Sequence, residues 1–216
     1  MPLRCTHFVY GDNMMEKLKM EAERIIEILM TLPHVKNCTL YGSIAEGRAD
    51  AMSDIDIEVD VSGFDNGQFM LSFPGLLSGK LRVIYSDFAP SLIPDKYIVS
   101  LAIDENNPFM MLDVSCAAKP HITTVTRQQA AEKNSLVPHT LKVWVANLKH
   151  YLRGVECRGD ILRMANRLGI EHTDMKSNYE ILGEVLSWLE MNADDKLAHY
   201  LYSCKQIWID VKHDVN

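Results

Sequence analysis

Acidic and apolar side chains alternate over residues 54–61. The acidic set is Asp54, Asp56, Glu58 and Asp60, and the apolar set is Ile55, Ile57, Val59 and Val61. This period of two predicts a strand with one apolar face and one acidic face. Same-face neighbours in a strand lie roughly 7 Å apart, so four carboxylates there repel one another unless a cation binds. Carboxylate oxygens suit Mg²⁺, which takes one or two of them and completes its shell with waters and substrate phosphates. An exposed acidic face on an antiparallel strand is the alternative interpretation.

A sharp turn at Gly42-Ser43 precedes this acidic strand and follows a short apolar segment that ends at Tyr41. The glycine lets the backbone approach a ligand closely. The serine hydroxyl and the free N–H groups at the start of the predicted helix can donate hydrogen bonds to phosphate oxygens. The turn and the acidic strand together therefore predict a phosphate site beside a metal-binding pair of carboxylates.

The two-part pattern resembles the signature of the polymerase-beta-type nucleotidyltransferase superfamily. It reads Tyr41-Gly42-Ser43, then a ten-residue gap (44–53), then Asp54-Ile55-Asp56-Ile57. The segment is most similar to the small antibiotic nucleotidyltransferases, which modify aminoglycosides and lincosamides, and to the minimal nucleotidyltransferases related to them. Those enzymes often carry Ala-Arg-Gly after Gly-Ser, whereas this chain has Ala45-Glu46-Gly47-Arg48, so the arginine is displaced.

The resemblance implies a role for each of these residues. Asp54 and Asp56 would hold Mg²⁺, with two ions expected. Gly42 and Ser43 would contact the β- and γ-phosphates of ATP or another nucleoside triphosphate, and Arg48 would assist.

Asp113 is a lone carboxylate in the otherwise apolar segment 109–116. Such a group in a core strand costs several kcal/mol unless it is paired or bound to a metal. Members of the superfamily carry a third carboxylate on a strand next to the Asp-x-Asp strand, and the resemblance implies that Asp113 has this position. It would then bind metal or act as the general base. The alternative is an aspartate at a strand end that meets a lysine or solvent.

The elements that must position these residues follow from periodicity, caps and turn residues. A helix is predicted at 14–32, a loop with a short helix at 62–80, and strands at 36–41, 54–61, 81–88, 97–103 and 109–116. The last two form a predicted hairpin. Further helices are predicted at 126–133, 138–153, 160–169, 178–191 and 194–213. The predicted fold class is therefore α+β. The resemblance implies a nucleotidyltransferase fold, with a mixed β-sheet flanked by helices, over residues 1–122, and the run of helices predicts a C-terminal helical bundle over residues 123–216.

Charge and composition exclude several classes of protein. The 216 residues carry a formal net charge of −7. Residues 1–120 hold 10 basic and 17 acidic residues, so that 10 − 17 = −7, while residues 127–167 hold 8 basic and 3 acidic residues. This balance disfavours binding to duplex nucleic acid. No apolar run reaches the roughly 20 residues of a membrane span. The five scattered cysteines predict reduced thiols and a cytoplasmic location.

The basic residues of the helical part include Lys142, Lys149 and Arg153, which share one face of a predicted helix. They either contact the triphosphate or form a solvated face. Lys119 and His121, just after the Asp113 strand, are further candidates for substrate contact.

The function implied by the resemblance is Mg²⁺-dependent transfer of a nucleoside monophosphate. The predicted donor is ATP, the predicted acceptor is a hydroxyl of a small molecule such as an aminoglycoside or lincosamide, and pyrophosphate is released. One alternative is adenylylation of a protein partner, and another is an inactive nucleotide-binding module. A nucleic-acid polymerase or tRNA-end-adding enzyme is disfavoured by the acidic balance and the short chain.

Overall fold

The structure, a computed structural model, describes residues 13–89, 96–117, 120 and 123–214. The helices are α1 (Asn13–Met30), α2 (Gly42–Ala45), α3 (Asn66–Leu76), α4 (Arg127–Ala131), α5 (Leu136–Leu152), α6 (Arg158–Arg167), α7 (Asn178–Asn192) and α8 (Ala198–Asp214). The strands are β1 (Asn37–Tyr41), β2 (Ile55–Asp60), β3 (Tyr85–Ala89), β4 (Tyr97–Ala102) and β5 (Met111–Ala117). The α+β prediction is confirmed. None of the helices described is both long and apolar enough to cross a membrane.

The strands form a mixed sheet in the order β1-β2-β5-β4-β3. Only the β2–β5 pair is parallel; β1–β2, β3–β4 and β4–β5 are antiparallel. The predicted hairpin of β4 and β5 is confirmed. The chain returns to the middle of the sheet with β5, which places the motif strand β2 beside the strand that carries Asp113.

One face of the sheet is covered by α1 and α3. The alternation in β2 is confirmed, because Ile55, Ile57 and Val59 are fully buried while the acidic residues between them are half-buried. The helices contribute the other side of the core, with Leu18, Ala22, Ile25 and Leu29 from α1 and Phe69, Met70 and Phe73 from α3. The acidic face of β2 is therefore left on the side of the sheet away from this core.

The segment 62–88 differs from prediction in two respects. First, α3 is a helix of 11 residues that contains Pro74, not a loop with a short helix. The burial of Phe69, Met70 and Phe73 and the cap at Asp65 outweigh the single hydrogen bond that proline removes. Second, β3 begins at Tyr85 instead of residue 81, because turn hydrogen bonds from the N–H groups of 80 and 81 to Leu77 O continue the end of α3.

The chain forms two compact units. The sheet unit runs through residues 13–104 and 110–135, and the helical unit comprises 105–109 and 136–214. In the helical unit, α5, α6 and α7 contact one another and α8 packs on α7. Trp144 of α5 is fully buried and donates a hydrogen bond to Leu182 O of α7 at 2.8 Å. The proposed domain boundary at 122 stays a prediction.

Candidate active site

Asp56 and Asp113 occupy facing register positions on the parallel strands β2 and β5. Neighbouring strands are roughly 4.8 Å apart and in-register side chains project to the same face, so the two carboxylates stand side by side. Both residues are half-buried. The resemblance implied that Asp56 and Asp113 lie on adjacent strands, and the register of β2 and β5 puts them in facing positions.

This pair belongs to a row of polar residues that crosses all five strands. In strand order the row is Tyr41, Asp56, Asp113, Ser100 and Asp87. Ser100 is 3% exposed and Asp87 is fully buried. Sequence reasoning missed Asp87, although it is a lone carboxylate in an apolar strand, which is the same signal that identified Asp113. The sheet thus carries a continuous polar line on the face opposite its core.

Gly42 lies directly against Asp56. A Cβ atom built at Gly42 would overlap Oδ2 of Asp56 and would lie 3.0 Å from its Cγ. Gly42 also has a φ of +70°, a left-handed conformation that favours glycine. The turn after β1 therefore requires glycine both for its backbone and for the space beside the carboxylate.

Asp54 and Ser43 flank this contact. Ser43 is half-buried in the four-residue helix α2. Asp54 immediately precedes β2, and a turn over residues 50–53 fixes the approach of the chain: Asp50 N donates to Ser53 Oγ at 2.9 Å and Ser53 Oγ donates to Asp50 Oδ1 at 2.9 Å. Gly42, Ser43, Asp54 and Asp56 are thus brought to one end of β2.

Arg48 forms an ion pair with Glu46, which is not one of these four residues. Its guanidinium contacts the carboxylate of Glu46, and the two side chains are 69% and 53% exposed. A phosphate at the Gly42-Ser43 turn would have to compete with Glu46 for this arginine. The displaced arginine of the motif consequently has a solvent-exposed partner in the structure.

A second ionic contact lies beside Tyr41, and sequence reasoning did not identify it. Lys96 Nζ is 2.9 Å from Glu58 Oε2 and 5.0 Å from the centroid of the Tyr41 ring. Glu58 belongs to the acidic face of β2, and here it pairs with a lysine. Only the strand order reveals this contact, because Lys96 immediately precedes β4 and Glu58 lies on β2, with β5 between these two strands.

The pKa of Tyr41 reflects the burial of its side chain and the charges near it. Burial raises the pKa of its phenol, and the carboxylates of Asp56 and Asp113 act in the same direction. Ser115 lies near enough to lower this pKa, yet its buried hydroxyl is not in hydrogen-bonding geometry with any described residue. Ser115 faces Glu58 in the register, two positions beyond Asp113. A buried, unsatisfied hydroxyl next to the carboxylate pair fits a site that receives a polar ligand.

The described side chains can supply only part of the coordination shell of Mg²⁺. Over the described ranges, no group of three or more His, Cys, Asp or Glu side chains is arranged to hold a metal ion. Mg²⁺ requires only one or two carboxylates when substrate phosphates and waters complete its shell, and the facing positions of Asp56 and Asp113 offer two. The assignment of Asp54, Asp56 and Asp113 to metal binding stays a prediction.

The remaining candidates are distributed elsewhere. Lys119 and His121 fall outside the described residues. Lys149 of α5 is only 5% exposed, whereas Arg153, just after the end of α5, is exposed, so the predicted basic face is not uniformly solvated.

A family profile described as polymerase beta, nucleotidyltransferase matches residues 23–84. The matched segment includes Gly42, Ser43, Asp54 and Asp56 and ends before Asp113, and it supports the superfamily that the motif predicted. No curated protein matches the chain significantly.

Two solved structures show similarity at low identity. One is a mutant of Cid1 poly(U) polymerase bound to MgATP, at 14% identity and a TM-score of 0.39, covering 84% of this chain and 51% of that one. The other is a GLD-2/RNP-8 complex, at 14% identity and a TM-score of 0.39, covering 89% of this chain and 56% of that one. The chain spans about half the length of the solved structures that it matches.

Proposed function

We propose that this protein transfers a nucleoside monophosphate, AMP from ATP, to a hydroxyl group and releases pyrophosphate. One observation carries the proposal: Asp56 and Asp113 face each other on β2 and β5, and Gly42 of the preceding turn lies directly against the Asp56 carboxylate. The profile match over residues 23–84 supports the same chemistry.

Each residue has a defined task in this proposal. Asp54 and Asp56 hold Mg²⁺, which when bound neutralises phosphate charge and polarises the reacting phosphoryl group. The Gly42-Ser43 turn binds the β- and γ-phosphates through its N–H groups and the serine hydroxyl. Most of the rate acceleration would then come from positioning and charge neutralisation.

Asp113 is proposed as the general base. It takes the proton of the acceptor hydroxyl while the acceptor oxygen bonds to the α-phosphorus. The bond from the α-phosphorus to its bridging oxygen breaks at the same time, and pyrophosphate leaves with that electron pair. No other reactant is needed for the atoms and charges of this step to balance.

The proposed acceptor is a small molecule with a hydroxyl group, such as an aminoglycoside or lincosamide. The net charge of −7 over residues 1–120 supports it, because an acidic surface attracts a cationic acceptor. A protein acceptor is the alternative, and the experiment separates the two.

The decisive test is Mg²⁺-dependent release of pyrophosphate from ATP with aminoglycosides, with lincosamides and without an acceptor. We expect Asp56→Asn to lower the rate by about 100-fold or more, since removal of one group that stabilises transition-state charge has that effect. Asp60→Asn is the matched control, because it lies on the same face of β2 and an asparagine keeps the acceptor for Ser62 N.

The outcomes are distinct. Full activity in Asp56→Asn would refute the metal assignment. ATP binding with no release in the presence of any drug would point to a protein acceptor. Absence of both binding and release with all four triphosphates would favour an inactive module.

A further inference from the structure

Ser115 is a polar residue of β5 whose side chain is buried without a hydrogen bond. It is fully buried, and its Oγ has no hydrogen-bond partner among the residues that the structure describes. Ser115 lies two positions after Asp113 and faces Glu58 of β2, so its side chain is on the same face of the sheet as the Asp113 carboxylate. Buried hydroxyl groups in folded proteins are nearly always hydrogen-bonded. The unsatisfied hydroxyl therefore marks a position beside Asp113 that a ligand can complete.

The phenol of Tyr41 is a second hydroxyl group close to this position. Tyr41 is the last residue of β1 and faces Asp56 in the register. Burial raises the pKa of Tyr41, and Ser115 lies near enough to oppose this shift, although the two hydroxyl groups are not in hydrogen-bonding geometry. Two neighbouring hydroxyl groups that do not bond each other can both contact one ligand atom.

The ion pair between Lys96 and Glu58 spans the strand that carries Ser115. Lys96 immediately precedes β4, Glu58 lies on β2, and β5 runs between these strands. The two side chains are 21% and 40% exposed, and ion pairs that reach solvent contribute only modestly to stability. The pair can therefore open to admit a ligand at small cost. Because Glu58 already balances the charge of Lys96, the groups around Ser115 offer a ligand hydroxyls and carboxylates.

These groups match a neutral hydroxyl better than a charged group. A phosphate or carboxylate at Ser115 would be repelled by Asp113 unless a metal ion lay between them. An ammonium group accepts no hydrogen bond, so it would leave the O–H donors of Ser115 and Tyr41 without an acceptor. A hydroxyl group both donates and accepts, which is what the two side-chain hydroxyls require.

We infer that Ser115 and Tyr41 bind a second hydroxyl group of the acceptor, and that the acceptor is a sugar with hydroxyl groups on adjacent carbons. Asp113 and Ser115 are separated by roughly 7 Å along one face of β5. A diol spans this gap with a hydrogen bond of about 2.8 Å at each end. The inference rests on the proposed transfer, in which Asp113 takes the proton of the reacting hydroxyl. The sugar is either a hexose, as in an aminoglycoside, or the ribose of a nucleoside.

The test compares sugars that differ by one hydroxyl group. Kanamycin B and tobramycin form the hexose pair, and adenosine and 2′-deoxyadenosine form the ribose pair; in each pair the second compound lacks one hydroxyl of a diol. Affinities for the full chain are measured by calorimetry with Mg²⁺ and α,β-methylene-ATP present, so that adenosine does not occupy the donor site. We expect the diol of one pair to bind about fivefold more tightly than its partner, the effect of one hydrogen bond between neutral groups. Ser115→Ala should bind both members equally, and Tyr41→Phe should reduce the preference.

Thr39→Val is the matched control, because it removes an exposed hydroxyl from the same face of the sheet, opposite Glu58. It should leave the preference for the diol unchanged. Ser115→Ala removes no hydrogen bond from the free protein, so its midpoint in urea unfolding should not fall. Lost preference at unchanged stability separates a role in ligand binding from a structural one.

Pyrophosphate release from ATP with the same four compounds tests the transfer separately. A preference that depends on Ser115 supports the inference, and the pair that shows it identifies the sugar as a hexose or a ribose. The same preference without pyrophosphate release would refute the proposed transfer and support a site that binds diols. Release without any preference, a preference that survives Ser115→Ala, or no binding of any of the four compounds overturns the inference.

Discussion

Gly42 and Gly47 have the same backbone conformation, with a φ of +70° at each, but their surroundings differ. A side chain at Gly42 would overlap the Asp56 carboxylate, whereas no atom lies within 4 Å of a Cβ at Gly47. The two positions therefore separate the cost of backbone strain from the cost of displacing Asp56.

We predict that Gly42→Ala abolishes the proposed transfer activity, because the new methyl group displaces the Asp56 carboxylate from its position beside Asp113. Gly47→Ala should lose only about 1–2 kcal/mol of stability, the cost of a left-handed alanine. Urea unfolding gives the stabilities and pyrophosphate release gives the activities. Equal activity in the two variants would contradict the role given to the contact at Gly42.

At the scale of single elements, Asp65 joins α3 to the segment before α4. Its Oδ1 accepts from Gln68 N at 2.8 Å as the cap of α3, and its Oδ2 accepts from Thr124 N and Thr124 Oγ1, each at 2.7 Å. Desolvation alone would raise the pKa of this carboxyl, but the hydrogen bonds outweigh it and the net pKa is lowered from 3.8.

We predict that Asp65→Ala lowers the free energy of unfolding by about 1 kcal/mol at neutral pH, the usual value of a helix cap. A lowered pKa in the folded state means that this stabilisation is present above about pH 4 and is lost as the pH falls through the folded value. The difference between wild type and Asp65→Ala should therefore shrink below pH 4 in urea titrations.

Asp65→Asn is the control for charge, since its amide oxygen still accepts from Gln68 N. It should lose less stability than Asp65→Ala. A difference between wild type and Asp65→Ala that stays constant from pH 7 to pH 3 would show that the carboxylate charge is not involved.

At the scale of the whole molecule, the described thiols are distributed over both compact units. Cys38 and Cys116 lie in the sheet unit, and Cys157 and Cys204 lie in the helical unit. Burial raises the pKa of all four, to about 11 at Cys38 and about 12 at Cys116. Since the thiolate is the reactive form, these thiols should be alkylated slowly in the native state.

We predict two separate midpoints when a Cys5→Ser variant is pulse-labelled with iodoacetamide along a urea series. Each unit has its own buried side chains and can open as a cooperative segment. Mass spectrometry of the labelled peptides assigns Cys38 and Cys116 to one transition and Cys157 and Cys204 to the other. A single shared midpoint would show that the two units unfold together.

Local patterns in the sequence determined the features whose causes are themselves local. The alternation around Asp56 predicted β2, and the helix predicted at 178–191 is α7, which begins with a capping box of Ser177 and Glu180. The glycine after Tyr41 predicted the tight turn. In each case the residues that interact are within about four positions of one another, so spacing alone carries the information.

Tertiary structure decided which distant residues meet. Asp56 and Asp113 lie far apart in the sequence, and only the order and register of the strands make them neighbours. The same register adds Asp87 to the polar row and brings Lys96 to Glu58. An alternating strand fixes which side chains share a face, but its partner and register depend on packing of the whole sheet. For that reason the sequence identified the acidic strand, and the fold determined the constellation around it.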